Sequence, residues 1–524
     1  MSRGAIFTLV TQDDRTDKYF TAIDLLTQKI NNIKLNRQPT TKDIEYTHIL
    51  YTKTKYVPYV AITSDYIQVQ STGLLDFGNT IEFSLPNYGH FTSDVVLHIR
   101  FDAVGNKQAY LNGVEPSVDT PLYRYCAFPG IRLLENVEFR SDGVLIDTYG
   151  PDDVIAYKNF FVKPGHKVGW GRCYGQDEIN QACYNSKSFT GYLNYSNGYQ
   201  TPKLYHEAFD MFIPLQFWFC EDVSQAIINS GTTNGQRKIS MKLCHLDKIL
   251  QCLIYNVDDS IPPNITQIGT TQVPLKLNKN SSLITAANLY INSLYTYPEV
   301  FDVISKECGF NLIRVHKRQN TSLTSASNDI LLSNLHYPGE YLSIGFRNKS
   351  NDNDFDRWHL MGSDYIAEDI TSTKTLHVPA IIWNDDLSIR QLVAREAIQV
   401  TTLNNIINTI RIHIGDINIY PTMLSNFFND YLPIRYPKNS AVVSPYDNNM
   451  FLVTFCNYPG QYNPSGHFNL STNREMYVEY TMNNTYGSYL DNPTNGISYE
   501  MVICMSALNF LIREGDSVRL RYSL

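Results

Sequence analysis

Apolar and polar residues alternate over short stretches along most of this chain. Val95, Leu97, Ile99 and Phe101 fall on one face of an extended segment, with Val96, His98 and Arg100 on the other, and Thr80 to Leu85 alternates in the same way. Asn136 to Arg140 and Val144 to Asp147 read as a hairpin whose turn is Ser141-Asp142-Gly143. Met211 to Phe219 reads as a long aromatic strand, and Arg237 to Leu243 as the strand that ends the unit. Residues 254 to 282 are polar and contain Ser260-Ile261-Pro262-Pro263-Asn264 and Asn278-Lys279-Asn280-Ser281-Ser282, which marks a linker. The strand pattern then restarts at Ala287 to Leu294 and continues through Asn311 to Lys317, Tyr341 to Phe346, Leu376 to Trp383, Asn408 to Ile419, Met450 to Cys456, Glu475 to Thr481, Glu500 to Met505 and Ser517 to Tyr522.

Many short strands separated by turn signals indicate sandwiches rather than alternating β and α. A chain of 524 residues is too long for one core, and two sandwiches of about 200–250 residues each fit its length. The expected division is a base segment over 1–43, a first sandwich over 44–253, the linker over 254–282 and a second sandwich over 283–524. Within the base, Phe20, Ile23, Leu26, Ile30 and Ile33 recur at helical spacing, behind Asp13, Asp14 and Asp17. That helix either packs on its own sandwich or docks elsewhere. A faint repeat supports duplication: Ser224 to Ile228 followed by the strand Arg237 to Leu243 parallels Ser506 to Phe510 followed by Ser517 to Tyr522.

Composition narrows the chemistry. The chain is 43% hydrophobic and 18% charged, with 37 Tyr and 25 Phe, which favours strands and packed interfaces. A net charge of −8 leaves no basic footprint for wrapping a nucleic acid, so no direct nucleic-acid partner is expected. The nine cysteines, at 126, 173, 183, 220, 244, 252, 308, 456 and 504, include no C-x-x-C pair and read as small hydrophobes in a reducing compartment. The N-terminus lacks the basic and apolar regions of a secretory signal, and the longest near-apolar run, Met501 to Ile512, is too short to span a bilayer. A soluble chain without membrane insertion is expected, and its seven N-x-S/T triplets then reflect abundant Asn.

Catalytic signatures are sparse in this sequence. G-x-S-x-G, the phosphate-cradling glycine loop and H-E-x-x-H are missing from the sequence, and no catalytic residue, cofactor or metal site is expected. Asp352, Asp354 and Asp356 imitate a calcium loop, but Arg357 stands at its glycine position and Ser363 at that of its bidentate Glu; a polar surface loop is expected there. Asp152-Asp153 and Asp385-Asp386 are adjacent carboxylates that read as solvated turns, and the twelve histidines show no metal spacing. His467 is expected to pin a turn by a hydrogen bond. Phe217, Trp218 and Phe219 must send rings to both faces of one strand, so one face suits the core and the other a neighbouring sandwich or subunit.

The C-terminal region carries a family likeness. Gly460-Gln461-Tyr462-Asn463-Pro464-Ser465-Gly466-His467-Phe468-Asn469-Leu470-Ser471, then Arg474 to Tyr480 and Ser506 to Ser523, resemble the end of a viral major capsid protein of the double jelly-roll type. The likeness is to large cytoplasmic DNA viruses, in particular the African swine fever (asfarvirus) type. It recurs in family order at Ala5 to Val10, Ile23 to Leu26, Ile30 to Lys34, Lys55 to Val60, Tyr125 to Phe139, Leu215 to Phe219, Leu289 to Leu294, Pro298 to Val300 and Leu312 to Lys317. The connections at 102–122 and 176–200 look shorter than in the animal-virus member.

The resemblance implies an all-β fold of two tandem antiparallel eight-stranded jelly rolls behind a short helical base. It further implies a homotrimer that imitates a hexagonal tile of an icosahedral shell, with minor capsid and penton proteins as partners and a viral folding chaperone. The chain would then be part of the virion's outer shell, assembled in the host cytoplasm, and not an enzyme. Candidate assembly residues are Phe217, Trp218 and Phe219, with Tyr462, Pro464, Ser465, Gly466 and His467. The alternative is a carbohydrate-binding or carbohydrate-active β-sandwich, which would need an exposed aromatic platform or a facing carboxylate pair.

Overall fold

The computed structural model describes residues 62–112, 121–176, 199–200, 204–229, 236–254, 282–299, 301–302, 310–355, 358–362, 405–436, 441–445, 447–470, 475–491, 498–514 and 517–522. The expected base helix and the strand Leu376 to Trp383 lie outside them. The principal strands are β1 (Thr63–Gln70), β2 (Thr80–Leu85), β3 (Phe91–Phe101), β4 (Leu134–Ser141), β5 (Val144–Tyr149), β6 (Phe209–Pro214), β7 (Arg237–Leu243) and β8 (Ile284–Tyr295). After them come β9 (Phe310–Ser322), β10 (Ser327–Leu331), β11 (Pro338–Asn348), β12 (Ile407–Ile414), β13 (Ile417–Leu424), β14 (Met450–Thr454), β15 (Met476–Met482) and β16 (Tyr499–Glu514).

Two sheets form each half. In the first, β1-β8-β3-β6 faces β2-β7-β4-β5; in the second, β9-β16-β11-β14 faces β10-β15-β12-β13. Adding eight to each strand number of one half yields the other, and every pairing is antiparallel, so each half is an eight-stranded jelly roll. The expected double jelly roll is observed. Residues 62–524 belong to one compact unit.

The alternation read from sequence is what buries one face of each strand. Val95, Leu97, Ile99 and Phe101 are fully buried, as are Ile239 and Met241 of β7 and Leu342, Ile344 and Phe346 of β11. The β4–β5 hairpin turns where expected, on Asp142 (φ 53°) and Gly143 (φ 80°), both left-handed as a two-residue primed turn requires.

Four expectations are corrected. β8 lies between β1 and β3 across its length, so the first sandwich extends to Tyr295 and a division at 282/283 would cut it. A long polar insertion before a strand mimics a linker because only pairing, which is non-local, tells them apart. Asn408 to Ile419 is two strands, since Gly415 (φ 52°) turns the chain between β12 and β13. Ser506 to Phe510 continues β16 as a strand through to Glu514, paired along β9, and Ser517–Leu520 folds back on its end. The proposed repeat therefore misaligns the halves, because β7 corresponds to β15 and not to the C-terminal strand. Finally, the aromatic strand ends at Pro214 rather than Phe219.

Candidate assembly site: the seam between the sandwiches

The sixth strand of each sandwich is interrupted at the same place. In the first half Phe209–Pro214 pairs with one end of β3 and Ile227–Ile228 resumes along its other end. In the second, Met450–Thr454 pairs with β11 and Phe468–Asn469 resumes beside it. The intervening excursions, 215–226 and 455–467, are nearly equal in length, and they contain all eight candidate assembly residues.

Phe217, Trp218 and Phe219 do not send rings to two faces of a strand. They open a short helix, Trp218–Glu221, and all three are buried within this chain, at 0%, 3% and 1% exposure. Their rings surround Phe139 at centroid distances of 5.6, 5.7 and 5.5 Å. As monomer core they leave no ring surface to a neighbouring subunit, and the helix packs against β9 of the second sandwich. Of the two partners the sequence left open, the neighbouring sandwich is the one in contact.

The second excursion is different. Tyr462, Pro464, Gly466 and His467 are exposed and Ser465 half-buried. The turn is pinned by Ser465, whose Oγ accepts the Tyr458 N–H at 2.7 Å, and not by the exposed His467. Its base is anchored by Arg314 of β9, which donates to the Gln461 carbonyl at 2.6 Å and to the Tyr462 carbonyl at 3.3 Å. Arg314 also pairs with the buried Glu340 at 2.6 Å. Burial alone would lower the Arg314 pKa, but Glu340 outweighs it and raises it. With the Gln225 amide oriented to satisfy both its atoms, its oxygen accepts from Arg314 at 2.8 Å and its nitrogen donates to the Trp218 carbonyl at 2.6 Å. Arg314 thus joins the two excursions, a link that no local sequence pattern signals.

Further along the seam, acids of the first sandwich meet bases of the second. Helix α1 (Pro151–Phe160) starts beside Gly150 with Pro151 in its first turn, and Asp153 accepts the Gly150 N–H at 2.9 Å. The Asp152 and Asp153 side chains, expected in a solvated turn, are instead buried: Asp152 pairs with Arg347, and Asp153 lies 3.8 Å from Arg318. Burial raises the Asp153 pKa against the pull of His316 and Arg318. Asp147 of β5 bonds His316 of β9. Gly150 leaves room for the Arg318 guanidinium, since a Cβ there would sit 2.3 Å from an Arg318 nitrogen and displace that side chain.

Asp352, the first acid of the imitation calcium loop, keeps its side chain exposed as a polar surface loop would, while its backbone and the rings that follow it dock in the seam. Arg132 of the first sandwich donates to the Asp352 carbonyl at 2.5 Å and lies over the Phe355 and Trp358 rings at 5.3 and 5.2 Å. Trp358 donates to the Ala127 carbonyl at 2.6 Å. These contacts make the two sandwiches a single block whose relative placement is set by paired charges and hydrogen bonds.

The seven described cysteines are free thiols. No helix among the described residues is long and apolar enough to cross a membrane. Two exposed apolar surfaces stand out on separate sandwiches. On the first, Phe212 (48% exposed) stacks on His98 beside Tyr290, near Tyr66 (55%) on the edge strand β1. On the second, the edge strand β13 exposes Ile417 (73%) and Leu424 (63%), followed by Tyr431 and Ile434.

No protein-family model matches the sequence. Over 100% of its length the chain is 28% identical to "Hexon protein p72" of African swine fever virus, covering 100% of that protein, and equally so to a "Major capsid protein" of another isolate. In fold it is similar to the Faustovirus major capsid protein, with a TM-score of 0.67 and 24% identity over 96% of this chain and 100% of that one. It is similar also to the PBCV-1 virus capsid protein, with a TM-score of 0.60 and 15% identity over 91% and 100% of the two chains. Two jelly rolls of one strand order, together with sequence similarity that runs end to end, make this chain similar in fold and in sequence to major capsid proteins of large DNA viruses.

Proposed function

We propose that three copies of this chain close into a ring of six sandwiches, a pseudo-hexagonal capsomer that tiles an icosahedral shell. The observation that carries this reading is the duplication itself: two sandwiches of identical strand order in one chain, held rigidly by the Asp147, Asp152 and Asp153 contacts to His316, Arg347 and Arg318. A rigid pair repeated threefold supplies six near-equivalent sides.

A threefold ring needs a heterologous contact, in which one surface of each copy meets a different surface of the next. The Phe212 and Tyr66 face of the first sandwich and the Ile417 to Ile434 edge of the second supply two such surfaces. Exposed edge strands and apolar patches of this kind are ordinarily covered in a stable assembly. The contact would bury more than about 2,000 Å², as permanent interfaces do. Contacts between capsomers would be smaller and more polar, with the Tyr462 to His467 turn among the candidates.

Assembly in the host cytoplasm, minor capsid and penton partners, and a folding chaperone belong to the same reading, as does a purely structural, non-catalytic role. The carbohydrate-binding or carbohydrate-active alternative has no support among the relatives, and of its candidate carboxylates Asp152 and Asp153 face Arg347 and Arg318 inside the seam. Size-exclusion chromatography with light scattering tests the proposal: a stable species near 180 kDa, three times 60.0 kDa, is expected, and a persistent monomer at micromolar concentration overturns it.

A further inference from the structure

On the outer face of the β10-β15-β12 sheet, Asp329, His413 and Glu479 bring their ligand atoms within 4.8 Å of one another. Asp329 and Glu479 are directly opposed across β10 and β15, and His413 reaches them diagonally from β12. The imidazole is the informative member. It is 8% exposed, stacked on Tyr477 at 5.4 Å, and its Nδ1 lies 2.8 Å from the Gly415 carbonyl. A carbonyl only accepts, so Nδ1 carries the proton and, in the neutral ring, Nε2 presents a lone pair. That Nε2 is buried without a hydrogen-bond partner and faces Asp329 Oδ1 at 3.7 Å, too long for a hydrogen bond and close enough to share an ion. Fixing one ring nitrogen on a backbone carbonyl while the other faces a ligand position is how metal-binding histidines are held.

We propose that Asp329, His413 and Glu479 form a zinc-type divalent cation site that clamps three adjacent strands of the second sandwich. One imidazole and two carboxylates suit such an ion, with water in the fourth position. Ligand atoms at about 2.0–2.2 Å from a common ion lie no more than about 4 Å apart. The half-exposed Asp329 side chain closes the remaining gap by a rotamer change. Arg411 is the competing cation: it pairs with Glu479 Oε2 at 2.8 Å and is itself held by Asn418 at 2.7 Å, which leaves Glu479 Oε1 for the metal.

The test uses the purified full-length protein, stripped with EDTA and titrated with Zn²⁺ by calorimetry and with Co²⁺ by visible absorption. One ion per chain is expected, with a Kd of about 10 μM or tighter, and a four- or five-coordinate Co²⁺ spectrum. Asp329→Asn and His413→Gln should each weaken binding at least about tenfold, while Arg411→Gln should strengthen it. Asp329 is exposed, so Asp329→Asn should unfold in EDTA at the same urea concentration as the parent, which separates lost binding from lost fold. Failure to bind Zn²⁺ below about 1 mM, or affinity unchanged in Asp329→Asn, overturns the assignment.

Discussion

Asp147 Oδ2 stands 2.9 Å from His316 Nδ1 while its Oδ1 accepts the His316 main-chain N–H at 2.8 Å, so one carboxylate of the first sandwich holds both the ring and the backbone of a residue in the second. Burial by itself would lower the imidazole pKa, but Asp147, with smaller help from Asp153 and Glu221, raises it to about 9.

A folded-state pKa above the unfolded value of about 6.5 means that this contact stabilises fully below pH 6.5 and fades as pH rises through about 9. Lys158 acts in the opposite sense. Burial lowers its pKa to about 7, so its contribution to stability grows between pH 7 and about 10.5. The informative quantity is therefore the difference between the parent and Asp147→Asn. The urea midpoints should lie furthest apart near pH 6 and converge by about pH 9.5; a gap that stays constant over that range contradicts the assignment.

Arg347 and Asp152 are each 11% exposed at the side chain, and removing one partner strands the other charge inside the seam. Arg347→Ala should cost about 3–5 kcal/mol in urea unfolding. Arg347→Met combined with Asp152→Leu should recover most of that loss, since apolar replacement of a buried pair is often neutral. Recovery of nothing would show that packing, not the uncompensated charge, sets the cost.

Arg314 anchors the 455–467 excursion through the Gln461 and Tyr462 carbonyls. Arg314→Ala should release that turn, and limited proteolysis should cut near Tyr458 to Tyr462 several-fold faster than in the parent, with the rest of the chain intact. Unchanged cleavage would mean that Ser465 alone holds the turn.

Core and contact positions should separate cleanly. Trp218→Ala removes a buried ring and should cost about 3–5 kcal/mol of stability. Phe212→Asp and Ile417→Asp place charge on exposed positions and should leave the chain folded, as circular dichroism reads, while shifting the light-scattering mass from trimer toward monomer. A trimer indifferent to both would require its contacts to lie on other surfaces.

Gly460 to Leu470 and Leu312 to Lys317 were legible as family segments without any structure, yet their meeting through Arg314 was not. The alternation along β3, β7 and β11 is a local property, written every second residue, and so the strands and their buried faces could be read directly. Phe217 to Phe219 misled because a run of large rings has no period to separate a strand from a short helix sunk in a core. Asp152 and Asp153 misled in the same way, since adjacent acids look alike whether they face water or a guanidinium.

Strand content was determined by the linear order of residues, because hydrophobic period and turn chemistry act over a few positions, while the two-sandwich plan came from chain length and the capsid likeness from segments that resemble a family in order. Tertiary structure alone decided that Ile284–Tyr295 completes the first sandwich, that Asp147, Asp152 and Asp153 face the basic strands of the second, and that His413 meets Asp329 and Glu479. Each of those depends on segments far apart in the chain being brought side by side, and such pairings are set by the packing of whole sheets, which no short window of sequence contains.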